Sequence, residues 1–246
     1  MQKLTNKTAF VTGGSRGIGA AIVNMLAREG ATVVFTYVNG KSTSEALVAE
    51  LSAAGLNVSA IKADSAKDGE LTSALEETIS KHGRLDILIN NAGIYIGKPF
   101  ELHTLQDYDQ TMAVNVRAVF EASLFAAKKM ENEGRIVTLG SCMADRIPSV
   151  QGTLYAMSKS SLTAFTKGLA RDLGAKSITV NLVQPGPVNT DMNPENGAYA
   201  DFQKGLMAIR KYGQPRHIAD LVAYLVDPAT EYTTGSIITI DGGTSC

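Results

Sequence analysis

Apolar and polar positions alternate along this chain in two rhythms. Seven short runs rich in β-branched residues, TAFVT (8–12), TVVFTY (32–37), VSAIKA (58–63), LDILIN (85–90), RIVTLG (135–140), ITVNLV (178–183) and SIITI (236–240), are apolar almost throughout. Continuous rather than alternating hydrophobicity predicts strands covered on both faces, as in a parallel sheet. Between the runs, apolar residues return at helical spacing, over Ile18–Glu29, Glu45–Ala54, Thr104–Met130 and Gly152–Leu173. Strand and helix alternate over nearly the whole length. This predicts an α/β fold, a Rossmann-like, doubly wound parallel sheet of about seven strands with helices on both faces and right-handed crossovers. No repeat, low-complexity tract or linker divides the chain, so residues 1–246 read as one domain. The stretch from Pro185 to Gly213 holds no strand, and a loop of that length inside a compact domain is usually functional. Its expected place is the carboxyl edge of the sheet, where doubly wound folds bind ligands.

The first predicted strand runs into TGGSRGIG (12–19), four glycines and one arginine ahead of a helix. Without a Cβ, Gly13, Gly17 and Gly19 let the chain turn tightly and let a bulky anion lie on the backbone, while the helix aims free N–H groups at it. That is the physics of a pyrophosphate site. The spacing G-x-x-x-G-x-G departs from the G-x-G-x-x-G dinucleotide fingerprint, so the strand–glycine–helix context alone carries the reading, beside the plain alternative of a structural turn. The second strand ends in YVNGKS, with Tyr37, Lys41 and Ser42 and no acid to hold a ribose 2′-hydroxyl. A 2′-phosphate meets no repulsion there. Arg16, helped by Lys41 or Ser42, supplies a charge-assisted contact to it, which favours NADPH over NADH; a solvated surface arginine is the alternative.

Within Gly152–Leu173, YAMSK puts Tyr155 and Lys159 four residues apart, on one face of a helix. An ammonium beside a phenol favours the phenolate. The Tyr155 pKa is therefore expected below its ordinary value of about 10, toward the working range of a general acid. Alone, such a pair is common by chance.

It is not alone. TGGSRGIG (12–19), AD (63–64), NNAG (90–93), VNV (114–116), GS (140–141), YAMSK (155–159), PGPVNT (185–190) and TGSIITIDGG (234–243) follow one another in order, and with them the chain resembles the short-chain dehydrogenase/reductase family over nearly its entire length. Its similarity is greatest to the 3-oxoacyl-carrier-protein reductase-like branch. The resemblance implies a catalytic tetrad of Asn115, Ser141, Tyr155 and Lys159. Ser141 would donate to the substrate carbonyl, Tyr155 would deliver the proton, and Lys159 would tune Tyr155 and bond the nicotinamide ribose. Asn115 would hold a water of the proton relay. It also implies cofactor contacts at Gly13, Ser15, Arg16, Gly17, Ile18, Gly19, Asp64, Ser65, Asn91, Ala92, Gly93, Pro185, Gly186, Val188 and Thr190. Asp64 is expected on the adenine, or as the cap of a helix beginning near Lys67. Asn90 is expected to brace the sheet rather than touch ligand.

The segment after Ser141 and the long loop bring Cys142, Met143, Arg146, Ile147, Val150, Met192, Phe202 and Met207 to the substrate pocket, an apolar and adaptable lining suited to a ketone or aldehyde with a hydrophobic body. Arg146 either reads an anionic group or pairs with a nearby acid; Cys142 is either a small buried hydrophobe or a reactive thiol. Composition narrows the partners further. A net charge of −1 gives no field to recruit nucleic acid or an anionic membrane, so the partner is a small molecule. MQKLTNKTAF lacks the apolar core of a signal peptide and no stretch approaches the roughly 20 apolar residues of a membrane span, so a cytoplasmic protein is expected. Two cysteines and three scattered histidines indicate neither a disulfide framework nor a metal site. Apolar residues on more than one face of the long helices predict a homotetramer. The expected activity is interconversion of a carbonyl and an alcohol, and the rival reading is a nucleotide-binding sensor or ligand-sequestering protein on the same fold.

Overall fold

The computed structural model describes residues 2–246. Seven strands, β1 (Thr8–Val11), β2 (Thr32–Tyr37), β3 (Val58–Lys62), β4 (Ile87–Asn90), β5 (Arg135–Leu139), β6 (Thr179–Pro185) and β7 (Ile237–Ile240), form one sheet in the order β3-β2-β1-β4-β5-β6-β7, every pair parallel. The helices are α1 (Gly17–Arg28), α2 (Lys41–Ala53), α3 (Glu70–His82), α4 (Leu105–Met112), α5 (Ala118–Lys129), α6 (Thr153–Leu173), α7 (Ala200–Leu206) and α8 (Pro215–Val226). This is the Rossmann-like sheet that the apolar runs predict.

Continuous hydrophobicity is explained by where successive side chains go. In β1, Ala9 and Val11 enter a core with α1, α2 and α8, while Phe10 between them enters a second core with α3, α5 and α6. β2 divides likewise, with Val33 and Phe35 on the first face and Val34 on the second. Neither face of the central strands β1, β4, β5 and β6 meets water, so no polar alternation is possible there, and the edge strands β3 and β7 are partly exposed. Buried polar groups pair internally: Asn181 in β6 donates to the Thr233 carbonyl at 2.8 Å and accepts from the Ser236 N–H at 3.1 Å, tying β6 to the approach to β7.

The chain runs outward through β1, β2 and β3, then returns to place β4 on the other side of β1. Loops leaving β1 and β4 therefore diverge, opening a crevice at their carboxyl ends. Three elements differ from the sequence expectation. α2 begins at Lys41 rather than Glu45, because Ser44 hydrogen-bonds back to the Gly40 carbonyl and the polar first turn carries no apolar periodicity. The Thr104–Met130 segment is broken by a π-helical turn, Ala113–Arg117, between α4 and α5. The long strandless stretch is not wholly loop: it contains α7, with Ala200, Met207 and Tyr212 in a small core of their own, and Val188 bridges to Gly213. Seven residues are too few for a helical period to show. Among the described residues no helix is long and apolar enough to cross a membrane.

Leu26, fully buried between α1 and the sheet, tests the first core: Leu26→Ala is expected to lower stability by about 2–5 kcal/mol, read as a lower urea midpoint at unchanged slope.

Candidate active site

The crevice is built first from backbone. Gly13 and Gly17 have φ of +67° and +54°, left-handed values that favour glycine. Gly19 is packed so closely that a Cβ would lie 2.2 Å from the Gly13 carbonyl oxygen. The loops from β1 and β4 are stitched together across the crevice. Thr12 Oγ1 accepts from the N–H groups of Asn91 and Ala92 at 2.9 and 3.0 Å, and Asn91 Nδ2 donates to the carbonyls of Thr12 and Gly13 at 2.9 and 2.8 Å. Asn91 thus holds the turn in shape. Arg16 precedes α1 without a side-chain cap and the first turn has no acid, so the helix presents open N–H groups beside glycine. Thr190 closes the turn from the long loop, its methyl 3.2 Å from where a Gly17 Cβ would stand. A pyrophosphate fits this trough.

Around the end of β2, Ser15 lies against Gly40, and the first turn of α2, with Lys41 and Ser42 exposed, has no acidic residue. Arg16 reaches Asp191 at 3.6 Å, both side chains about 70% exposed, an ion pair weak enough to exchange for another anion. Asp64 does not cap α3, which starts only at Glu70. Its Oδ1 instead accepts from the Ala66 N–H at 2.9 Å, and its own N–H donates to Glu70 Oε2 at 2.7 Å. Ser65 and Val188 are buried, Ile18 packs on the first core, and Gly186 is pressed against Asp241, where a Cβ would meet the Asp241 Cα at 2.6 Å. Pro185 is the buried last residue of β6. Asn90 braces the sheet, donating to Ser123 and Thr138 hydroxyls at 3.1 and 3.4 Å.

The chemistry-bearing side chains meet beside Gly93. A Cβ on Gly93 would lie 3.4 Å from Lys159 Nζ and 3.5 Å from Asn115 Oδ1, so the bare residue leaves the ammonium open to the trough. Lys159 is 3% exposed, donates to the Leu139 carbonyl at 2.8 Å and lies 5.8 Å from the Tyr155 ring centroid. Burial lowers its pKa to about 8. Tyr155 corrects the sequence expectation: burial pushes its phenol up to about 12, and the Ser141 hydroxyl beside it pulls only partly the other way. Loss of water costs a phenolate more here than the Ser141 hydrogen bond returns. Asn115 sits in the π-helical turn with its side chain engaged, Oδ1 accepting from Ile94 N–H at 2.9 Å and Nδ2 donating to the Ile94 carbonyl and Ser158 Oγ at 3.0 and 2.9 Å. It is a brace between the β4 loop and α6, with the second lone pair of Oδ1 left over. Ser141 Oγ accepts from the Met143 N–H at 3.1 Å, which leaves its own proton free.

The expected substrate lining divides. Met143 is half-buried, Ile147, Val150 and Met192 are exposed on the flanking loops, and Phe202 is exposed on α7. Three residues are placed otherwise. Met207 is 3% exposed in the α7 core. Cys142 is buried, its thiol pushed up to about 11 by burial, which keeps it protonated and inert. Arg146 is exposed and pairs with no acid; its Nη1 donates to the carbonyls of Thr244 and Cys246, clasping the 241–246 segment. Sequence reasoning passed over Tyr95, whose ring stands edge-on to Tyr155 at 5.2 Å between centroids. It also passed over Ser158, the partner of Asn115. An aromatic two places after NNAG was the available signal for the first; the second shows only in three dimensions. A cavity of about 230 Å³ at the opposite edge, by Lys7, Asp86 and Arg135, is remote from this chemistry.

A glycine-turned trough at a strand-order switch, with a tyrosine, a serine and a buried lysine at its inner end, defines a nucleotide-dependent oxidoreductase fold, and the chain belongs to the short-chain dehydrogenase/reductases. The family described as enoyl-(acyl carrier protein) reductase matches residues 13–245. Among individual proteins, the chain is 43% identical to the cyclic-di-GMP-binding biofilm dispersal mediator protein of Escherichia coli, covering 98% of each. It is 36% identical to the hydroxynaphthalene reductase-like protein Arp2 of Metarhizium robertsii, covering 98% of this chain and 96% of the relative. Among solved structures, a short-chain dehydrogenase/reductase from Serratia marcescens superposes with a TM-score of 0.97 at 52% identity, over 99% of this chain and 100% of that one. A blue fluorescent protein from a metagenomic library, in complex with NADPH, gives 0.98 at 48% identity over the whole of both chains.

The buried ammonium predicts a stability signature. With its folded pKa near 8, below the ordinary 10.5, Lys159 sheds its proton earlier in the folded chain than in the unfolded one, so stability rises with pH between those values and the burden is fully present below about 8. Lys159→Met is expected to remove that rise, so urea midpoints at pH 7 and pH 10 should differ less in the variant than in the wild type.

Proposed function

We propose that the protein is an NADPH-dependent oxidoreductase that reduces a ketone or aldehyde carbonyl to an alcohol and catalyses the reverse reaction. The observation that carries the reading is the gathering of Ser141, Tyr155 and Lys159, with Lys159 beside Gly93 at the end of a trough shaped for a dinucleotide. NADPH over NADH is supported by the acid-free first turn of α2, by exposed Arg16, and by the NADPH held in a neighbour of the same fold. When bound, the nicotinamide supplies the hydride. Ser141, its oxygen already accepting from Met143, donates its free proton to the substrate carbonyl. Tyr155, kept protonated by burial, donates to the same oxygen as negative charge builds on it, because an alkoxide is a stronger base than a phenolate. Lys159 has donors beyond the one given to Leu139, and these would hold the ribose hydroxyls of the bound cofactor. The exposed apolar rim of Met192, Phe202, Ile147 and Val150 supports a substrate with a hydrophobic body.

One observation favours a second reading, a nucleotide-binding sensor with little catalysis: the Escherichia coli relative is described as binding cyclic-di-GMP. Loss of NADPH absorbance with a panel of ketones, diketones and quinones separates the two, since tight NADPH binding without turnover is the sensor's outcome. Association as a homotetramer is supported by the exposed Leu105, Phe120 and Leu124 along α4 and α5, and light scattering at micromolar concentration checks it.

Tyr155→Phe keeps the ring and removes the proton donor, so kcat is expected to fall by about 10²–10⁴-fold with NADPH affinity nearly unchanged. Arg16→Ala is expected to raise KM for NADPH by roughly tenfold or more and to leave NADH alone, as steady-state kinetics with both cofactors will show. Because the phenol stays protonated up to about 12 while Lys159 loses its charge near 8, reduction is expected to decline as pH rises through about 8; a decline set by the phenol would come far later.

A further inference from the structure

Tyr95 belongs to none of the ordered motifs, yet it is fixed at three points. Its ring stands at 74° to the Tyr155 ring with centroids 5.2 Å apart. Its far side leans on Gly97, where a Cβ would come within 2.5 Å of Tyr95 Cε1. Its hydroxyl donates to the Gln151 carbonyl at 3.3 Å. Gln151 holds a left-handed φ of +70°, unusual for a residue with a side chain, directly before Gly152 and the helix that carries Tyr155. Gly152 in turn is bare where Met143 presses, a Cβ there falling 2.4 Å from the Met143 Cε. Two glycines thus clear the space that Tyr95 and Met143 fill, the ring of the one against Tyr155 and the other bonded through its N–H to Ser141.

We infer that Tyr95 is a specificity-determining residue that closes one flank of the carbonyl site, so that the substrate is an asymmetric carbonyl compound with a hydrogen or methyl on the Tyr95 flank and its large apolar group on the open one. The inference rests on the reductase reading. Its basis is spacing. A layer of substrate carbon between the two rings needs about 7 Å, twice an ordinary carbon contact of about 3.5 Å, and the rings stand closer than that. Tyr95 cannot swing aside without losing both the Gly97 seat and the Gln151 hydrogen bond. A wall beside Tyr155, 43% exposed but seated on Gly97 and tied to Gln151, admits a small substituent, and it fixes which face of the carbonyl is presented.

The test compares acetophenone with isobutyrophenone, which share a phenyl group and differ as methyl against isopropyl. The wild type is expected to favour acetophenone in kcat/KM by about tenfold or more, the scale on which a pocket senses added methylenes. Tyr95→Ala is expected to bring the ratio to within about threefold and to erode the enantiomeric excess of the alcohol. Tyr95→Phe keeps the ring and loses only the Gln151 hydrogen bond, so it should keep the ratio; Gly97→Ala displaces the ring and should change the ratio without altering Tyr95. Tyr95→Leu replaces Tyr95→Ala if that variant does not fold. An active Tyr95→Ala or Tyr95→Leu with the wild-type ratio overturns the inference, as does a Tyr95→Phe whose ratio collapses like that of Tyr95→Ala. A wild type that consumes NADPH with other members of the panel of ketones, diketones and quinones but with neither of these two overturns this inference alone, and one that consumes it with none overturns the reductase reading and this inference with it.

Discussion

An ammonium has been taken out of water at the centre of this molecule, and the surroundings are arranged to make that tolerable. Lys159 retains one carbonyl partner, Leu139 at the end of β5, where water would have offered several. The remaining donors therefore seek oxygen, and Gly93 lies beside them, where a Cβ would stand 3.4 Å from Nζ. The same helix turn carries Ser158, which accepts from Asn115 and donates to the Tyr155 carbonyl. Asn115 in turn grips both polar groups of Ile94, just after Gly93. Lysine, tyrosine and the β4 loop are thus held to one another through a short chain of buried hydrogen bonds, and the π-helical turn around Asn115 is the distortion that lets this side chain reach.

The two ends of the crevice obey different physics. The outer end is made of backbone: glycines, helix N–H groups and the Thr12–Asn91 stitch, all of which bind by shape and dipole. The inner end is made of side chains whose proton affinities have been moved by burial. Burial moves Tyr155 and Lys159 in opposite directions, the acid made weaker and the base made weaker, so that near neutral pH the phenol stays protonated while the ammonium lies close to its own midpoint.

Much of this was legible beforehand, for reasons that differ by element. The seven strands were readable because both faces of the sheet are covered, and a run such as TVVFTY admits no other explanation at that length. The glycine turn and the tyrosine–lysine pair are local in sequence and so were visible as patterns. What escaped was set by contacts between distant segments. The phenol's pKa depends on how deeply Tyr155 is buried, which spacing on a helix does not report. The clasp of Arg146 on the 241–246 segment, nearly a hundred residues on, shows only once that segment has folded back to supply the carbonyls. α7 was invisible because one and a half turns carry too little periodicity, and its core of Ala200, Met207 and Tyr212 forms only when the long loop folds on itself.

The strand order also governs the sequence of events by which the chain reaches this shape. β1 lies inside the sheet, yet its partner on one side, β4, follows it by some 78 residues, as in the pairing of Phe10 with Leu88. While a ribosome delivers the chain from its amino end, β1 can join β2 and β3 early, but its other edge stays open until β4 has emerged. Closing a loop of that size precedes any reward from the contacts it brings, so folding is slow relative to helical proteins. Through that interval the exposed edge is a template for a neighbouring chain. The crevice, formed between these same two strands, is thus absent from the early intermediate, and nucleotide cannot assist folding until the sheet's central pairing is complete.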